Sequence, residues 1–591
     1  MFRVLILNFF FDGMFAQTSS LSMTILHTND VHARVEPFTA MGAKCPEDGI
    51  QECFGGVSKR ASFIKQERAK GELLLLDAGD QFQGSPWFYI YKGEDSSHFM
   101  NELNYTAMSL GNHEFDNGVE GLRNFLKNVT FTVLCSNLEK SSAPDYLESI
   151  KPFTVVNYKG KNITIIGYLT DKVPELSKIG NLKFTNEVSK VKELVQAAVS
   201  SGAKYIIAVG HAGYQNDLKM AQEVPDLDII VGGHSHTLLH NAVKKFKDKI
   251  TDGYPKVVEH GNGKKTLVVQ TGFMGKFVGK LTVQFDEAGN VVSFEGNTVL
   301  MDKSIPSDAV IDAQLTSLNA KIKETFGRKI GETEDFLDGG QCRLKECNIG
   351  NLFTDAIISY FQEKWPNLVI GLVNGGSLRS SINKGCVVTY NDIVSTFPFS
   401  DPFVLADVKG VVLKEVFEHS VANYSTVDKH GKFMQMSGIK VLYDLKKPND
   451  NRVVEIKVAT KFKSQDYEPL KPEQTYKVAL AKFVFNGGDG YTSFGKHSCT
   501  KIDVEILMKY FELNPKVRAV IEGRIRFVNH GGEFGDGTST EEDKESGTVF
   551  ENDTHNRNDT KNSGVGLTKA ALDRNLLLYF IESCLFILLW L

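Results

Sequence analysis

Met23-Thr24-Ile25-Leu26-His27-Thr28-Asn29-Asp30-Val31-His32 is a short apolar run that ends in imidazole, amide and carboxylate side chains. The run predicts a buried strand, and its polar end sets metal-ligand residue types at the strand's carboxyl terminus. The pattern recurs four times. Leu73–Leu76 runs into Asp77-Ala78-Gly79-Asp80, and Met108–Leu110 into Gly111-Asn112-His113-Glu114-Phe115-Asp116. Ile206–Val209 runs into Gly210-His211, and Ile229–Val231 into Gly232-Gly233-His234-Ser235-His236. Ligands of open α/β sheets bind beyond the carboxyl ends of strands, so these five loops are expected to line one crevice. A single Asp-x-His is usually a turn carboxylate beside a surface imidazole. Five such loops in order, four of them with glycine for close backbone approach, argue for a built site.

Outward from these loops, residues 23–308 alternate short apolar runs with helical stretches, the pattern of an α/β domain. Phe131–Leu134, Ile163–Leu169 and Leu267–Val269 read as further buried strands, and Val188–Ser201 as a covering helix. Ala309–Phe326 sets Ile311, Leu315, Leu318, Ile322 and Phe326 on one stripe, which predicts an amphipathic helix connecting two domains. A second α/β region follows over residues 327–528. Residues 529–562 are mostly Gly, Ser, Thr, Asp and Glu, the composition of an unstructured stalk. No internal repeat is found.

Length and composition narrow the function. A chain of 591 residues allows two large domains or about four average ones. With 67 basic and 72 acidic residues the net charge is −5, which excludes a dedicated nucleic-acid binder. Both ends carry targeting patterns. Arg3 followed by apolar residues to Phe11 predicts a secretory signal over residues 1–16. At the other end, small residues around Ser563, a spacer and the apolar stretch Leu576–Leu591 predict a glycolipid-anchor signal over 564–591, attached at Ser563 and removed on maturation. The expected location is the extracellular face of the plasma membrane, with the GPI anchor in its outer leaflet. Secretion fits the sequons at Asn104, Asn128, Asn162, Asn423, Asn552 and Asn558. It also fits two local cysteine pairs, Cys45 with Cys53 and Cys342 with Cys347, expected as disulfides. Cys386–Cys499 is a candidate third.

Carboxylate, imidazole and amide oxygen together suit zinc, manganese or iron better than calcium or magnesium. The ligand supply exceeds one ion, and a carboxylate bridging two divalent ions is an arrangement that phosphatases use. These motifs resemble the dinuclear metallophosphatase signature, and more narrowly the 5′-nucleotidase family, which includes ecto-5′-nucleotidases and arthropod apyrases. The resemblance implies an N-terminal four-layer domain of two β-sheets flanked by helices, a linker helix and a smaller C-terminal α/β nucleotide-recognition domain. It implies that Asp30 and His32 hold the first metal, Asp80 bridges, and Asn112, His211 and His234 hold the second. His236 stands where family members often have an amide, and either ligates the first metal or lines the site. The resemblance further implies that a metal-bridged hydroxide attacks phosphorus, with His113 stabilising charge and assisting the leaving group while Asp116 orients it.

Recognition falls to the second region. Arg343 lies inside the loop Cys342–Cys347, and Asn374-Gly375-Gly376-Ser377-Leu378-Arg379 follows the apolar run Val369–Val373. Two guanidinium forks suit phosphate oxygens. The family stacks its base between phenyl rings at positions matching Phe399 and Phe483 and holds the ribose with the residue matching Asp489; Asn374 adds a polar contact. The family is also known for a domain rotation, which puts the expected hinge in Ala309–Phe326, and a homodimer through the C-terminal domain is expected. The leading reading is extracellular hydrolysis of nucleoside 5′-monophosphates, AMP to adenosine. An apyrase acting on ATP and ADP is the alternative, and a non-catalytic adhesion protein the remote one.

Overall fold

The computed structural model describes residues 21–528, except 41, 46–51, 140–143, 242–248, 400, 493 and 495–496, with backbone alone at 497–503. The signal, the stalk, the anchor signal with Ser563, the sequons Asn552 and Asn558, and the Cys499 side chain therefore lie outside the described residues. No described helix is long and apolar enough to cross a membrane.

Two six-stranded sheets make up the N-terminal half. The first runs Val291–Leu300, Phe277–Phe285, Leu21–Thr28, Leu74–Asp77, Ala107–Ser109, Thr132–Leu134. The second runs Lys256–Glu259, Lys265–Val269, Ile229–Gly232, Tyr205–His211, Lys161–Leu169, Phe153–Tyr158. Four strands of each sheet are parallel to one another, and these are the eight apolar runs that the sequence marks as buried. The antiparallel edge strands escape that reading because they are partly exposed: Phe153–Tyr158, for instance, alternates exposed and half-buried residues until Tyr158.

Period-2 alternation sorts the apolar side chains into layers. Ile25, Leu74 and Leu76 face the second sheet, in one cluster with Ile163, Ile165 and Ile207. Leu26, Leu75 and Met108 face the other way, onto Phe63, Ile64, Leu122 and Phe125 of the helices Val57–Arg68 and Gly118–Asn128. Helices Glu187–Ser200 and Tyr214–Glu223 cover the far side of the second sheet through Val188, Val191 and Met220. The result is the four-layer order helix, sheet, sheet, helix. Parallel strands put all their carboxyl ends at one edge, and there the loops of both sheets meet.

The connecting helix spans Ala309–Phe326, as its periodicity predicts. Asp308 caps it by accepting from the Val310 and Ile311 N–H groups. Ile311, Ile322 and Phe326 are buried, with Leu315 and Leu318 packed beside them. Beyond it, a five-stranded sheet runs Met434–Ser437, Ile370–Asn374, Thr475–Ala481, Pro402–Lys409, His497–Ile502. Ile370–Asn374 and Thr475–Ala481 are parallel, so Asn374 and the segment leading to Phe483 leave the same edge. The helix Asn348–Gln362 packs on this sheet with Phe353 and Ile357 fully buried.

Asp308→Ala removes the one oxygen that accepts from two N–H groups at the start of the connecting helix and is expected to destabilise the fold by about 1 kcal/mol. Thermal melting checks this; an unchanged Tm would show that the helix does not depend on its cap.

Candidate active site

The five loops do converge. His211 Nε2 lies 3.0 Å from Asp80 Oδ2 and 3.8 Å from Asp30 Oδ1. His236 Nε2 lies 3.3 Å from Asp30 Oδ1 and 3.0 Å from His32 Nε2. Among the described residues, three overlapping groups have ligand atoms close enough to share an ion: Asp30, His32 and His236; His32, Asp80 and His113; and Asp80, His211 and His234. The first sheet supplies Asp30, His32, Asp80, Asn112 and His113, and the second His211, His234 and His236. The cluster straddles the seam between the sheets.

Asp30 and His211 each have one atom tied back and another turned into the cluster. Asp30 Oδ2 accepts from Asn29 Nδ2 at 2.8 Å and from the His234 N–H at 2.9 Å, while Asp30 Oδ1 is buried without a hydrogen bond. His211 Nδ1 contacts the Ala78 carbonyl at 2.7 Å, a contact that fixes Nδ1 as the donor, while its Nε2 faces Asp80 Oδ2 at 3.0 Å without a well-aligned hydrogen bond. Asn112 Oδ1 is likewise buried and unpaired. Asp80 Oδ1 accepts from the His113 N–H at 2.9 Å, which turns Oδ2 toward His211. Buried polar atoms are normally satisfied, so three bare ones aimed into one cluster fit divalent cations as the missing partners.

The backbone is strained to achieve this. Asp30, His32, Asp80, His234 and His236 all have φ between 51° and 77°. The left-handed region costs a non-glycine residue roughly 1–2 kcal/mol, so five such residues persist only because surrounding contacts hold them. Two glycines permit the close approach. A Cβ on Gly111 would fall 2.2 Å from Asp80 Oδ1, and one on Gly233 would fall 2.8 Å from the Ala78 carbonyl oxygen and 2.9 Å from His211 Nδ1.

Glu114 is the residue that sequence reasoning passed over. Its carboxylate accepts from the backbone N–H groups of Asp80, Gln81, Phe82 and Gly111 at 2.6–3.1 Å. It thereby ties the Asp80 loop to the Asn112 loop from beneath. Its place inside Asn112–Asp116 was visible in the sequence, but nothing there distinguished it from a solvent-facing acid.

His113 Nδ1 meets Asp116 Oδ2 at 2.7 Å. From the second region, Arg379 Nη2 reaches His113 Nε2 at 3.0 Å, and its guanidinium lies 5.0 Å from the Phe399 ring centroid. Phe399 also packs against His113, 5.8 Å between centroids. Arg343 donates to the Lys429 carbonyl and lies within electrostatic range of Asp489, Asp30 and Asp80. Asp489 accepts from Asn374 Nδ2 at 2.7 Å, and burial pushes its carboxyl upward against the pull of Asn374, Arg343 and Arg379. Phe483 sits over Gly488 in the same loop. Of the residues expected in recognition, Arg379 and Phe399 touch His113 directly, while Asp489 pairs with Asn374 and lies within electrostatic range of both arginines. Both local disulfides, Cys45–Cys53 and Cys342–Cys347, are formed.

Comparison with known proteins agrees with this geometry. The family model for calcineurin-like phosphoesterases matches residues 23–238, and that for the 5′-nucleotidase C-terminal domain matches residues 329–496. The first match defines the class, a metallophosphatase hydrolase. Human 5′-nucleotidase is 38% identical over 525 residues, covering 85% of this chain and 91% of that one. The snake venom 5′-nucleotidase of Naja atra is 38% identical over 528 residues, covering 86% and 99%. Among solved structures, a 5′-nucleotidase precursor from Thermus thermophilus superposes with a TM-score of 0.80 at 34% identity, covering 86% of this chain and all of that one. The chain belongs to the 5′-nucleotidase family.

Protonation across the cluster is uneven. Burial holds His32, His234 and His236 below the usual imidazole range. Burial would lower His211 too, but Asp80 and Asp30 outweigh it and raise its pKa to about 10. A cation on Nε2 must displace that proton, so loading zinc into stripped protein at pH 7.5 is expected to release about one proton per chain from His211. The raised pKa also makes the metal-free fold lose stability between pH 6.5 and about 10, as His211 deprotonates. Titration calorimetry in buffers of different ionisation enthalpy counts the protons; zero release would contradict the His211 assignment.

Proposed function

We propose that the protein hydrolyses the phosphate monoester of nucleoside 5′-monophosphates, AMP to adenosine and phosphate, with two divalent cations, most simply zinc. We assign Asp30, His32 and His236 with Asp80 to the first cation, and Asp80 with Asn112, His211 and His234 to the second. Asp80 is then the shared carboxylate. Bound there, the cations supply an activated water and neutralise charge on the phosphoryl oxygens.

The protein's own side chains do the rest. Arg343 and Arg379 bind the phosphate from the opposite wall, and their planar forks orient it. Asp116 occupies His113 Nδ1, and Nε2, which accepts from Arg379 here, is the atom that holds or gives a proton at the leaving oxygen once the phosphate draws Arg379 to itself. Phe399 and Phe483 flank the base, a contact worth about 1–3 kcal/mol per stacked ring. Asp489 accepts from the ribose hydroxyls, and Asn374 steadies it. The carrying observation is the 3.0 Å contact of Arg379 with His113, because it sets a phosphate-binding group against the catalytic imidazole. The monophosphate reading is favoured over the apyrase by relatives that carry the name 5′-nucleotidase. The filled ligand set favours an enzyme over a binding protein. Secretion and a lipid anchor are proposed from the terminal sequences alone.

Incubation with AMP, ADP and ATP separately, with and without chelator, is expected to give phosphate from AMP, and chelator is expected to abolish it. Phosphate from ATP and ADP with AMP accumulating would establish the apyrase instead. Arg343→Ala and Arg379→Ala are each expected to reduce kcat/KM at least tenfold for AMP and for a small phosphate monoester alike; an unchanged kcat/KM on both would remove the arginine concerned from phosphate binding.

A further inference from the structure

One short segment on the metal-binding side has no part in the scheme above. Val173–Leu176 forms a single helical turn, and Ser177 follows it in extended conformation. The Ser177 hydroxyl donates to Asp116 Oδ1 at 3.1 Å, while Asp116 Oδ2 is engaged by His113 Nδ1 at 2.7 Å. Both oxygens of the orienting carboxylate are therefore occupied, one by the imidazole and one by the serine.

Ser177 is itself held from several sides. Its N–H donates to the Val173 carbonyl at 3.1 Å, and its carbonyl accepts from the Ile179 N–H at 3.1 Å. Val173 is fully buried and Ile179 nearly so, which anchors the segment on both flanks. Outside the turn, Glu175 Oε2 comes within 3.5 Å of the Cβ position of Gly490, next to Asp489. Ser177 therefore has little freedom to leave Asp116.

We propose that Ser177 is a positioning residue for phosphoryl transfer, acting through Asp116 on His113. A carboxylate held by one oxygen alone can turn about its Cβ–Cγ bond; a second donor on the other oxygen stops that rotation and keeps His113 Nε2 aimed at the leaving oxygen. The inference rests on the assignment of His113 and Asp116 to leaving-group assistance. It differs from a packing role in one respect: its loss matters in proportion to how much help the leaving group needs.

The test compares Ser177→Ala, Ser177→Thr and Asp116→Asn on two substrates, AMP, whose ribose oxygen leaves poorly, and p-nitrophenyl phosphate, whose phenolate leaves unaided. Ser177→Ala is expected to lower kcat on AMP about tenfold with KM unchanged, to lower it about twofold or less on the aryl ester, and to recover in Ser177→Thr. Asp116→Asn is expected to show the same substrate dependence with a larger loss, and adding Ser177→Ala to it should cost nothing more. An unchanged kcat in Ser177→Ala, or an equal loss on both esters, overturns the inference while a substrate-dependent loss in Asp116→Asn keeps the dyad assignment. No substrate dependence in Asp116→Asn overturns that assignment and the inference with it.

Discussion

Asp80 is the side chain on which the rest of the site depends. One of its oxygens is held by the His113 N–H, and the other is 3.0 Å from His211 and about 4 Å from His32 and His113. Those neighbours come from both sheets, so the carboxylate lies where the two halves of the N-terminal domain join. Burial penalises its charge, yet His211 and His113 hold its pKa well below the usual carboxylate range. Imidazoles and two carboxylates packed this tightly are costly on their own, and their chemistry suits divalent cations as partners; the five left-handed residues among them persist because surrounding contacts hold them.

From that constraint the surrounding design follows. Glu114 gathers four backbone N–H groups beneath the Asp80 loop, Gly111 and Gly233 let the loops approach, and Ala78 fixes the tautomer of His211. The second region then brings Arg343, Arg379 and Phe399 to the open side. The proposed division of labour is spatial: one region would hold the reacting phosphorus, the other would read the nucleotide.

Much of this was legible in the sequence, for a physical reason. Parallel strands buried on both faces are continuous apolar runs, so all eight could be read, and ligand residues at their carboxyl ends had only one edge to occupy. The connecting helix was legible because its apolar stripe is a local signal. Edge strands such as Phe153–Tyr158 were not, since they are only partly buried. Glu114 and Ser177 were not, because their roles lie in hydrogen bonds to residues that only the fold brings near. His236 could be read as a site residue, while its approach to Asp30 and His32 required the His234 loop to take left-handed backbone.

The central claim is that two cations share Asp80. Anomalous diffraction at the zinc absorption edge, from crystals of zinc-loaded protein, tests it most directly. Two peaks about 3.5–4 Å apart, both within bonding distance of the Asp80 carboxylate, are the expected result. A single peak, or peaks that leave Asp80 without a metal neighbour, would contradict the account.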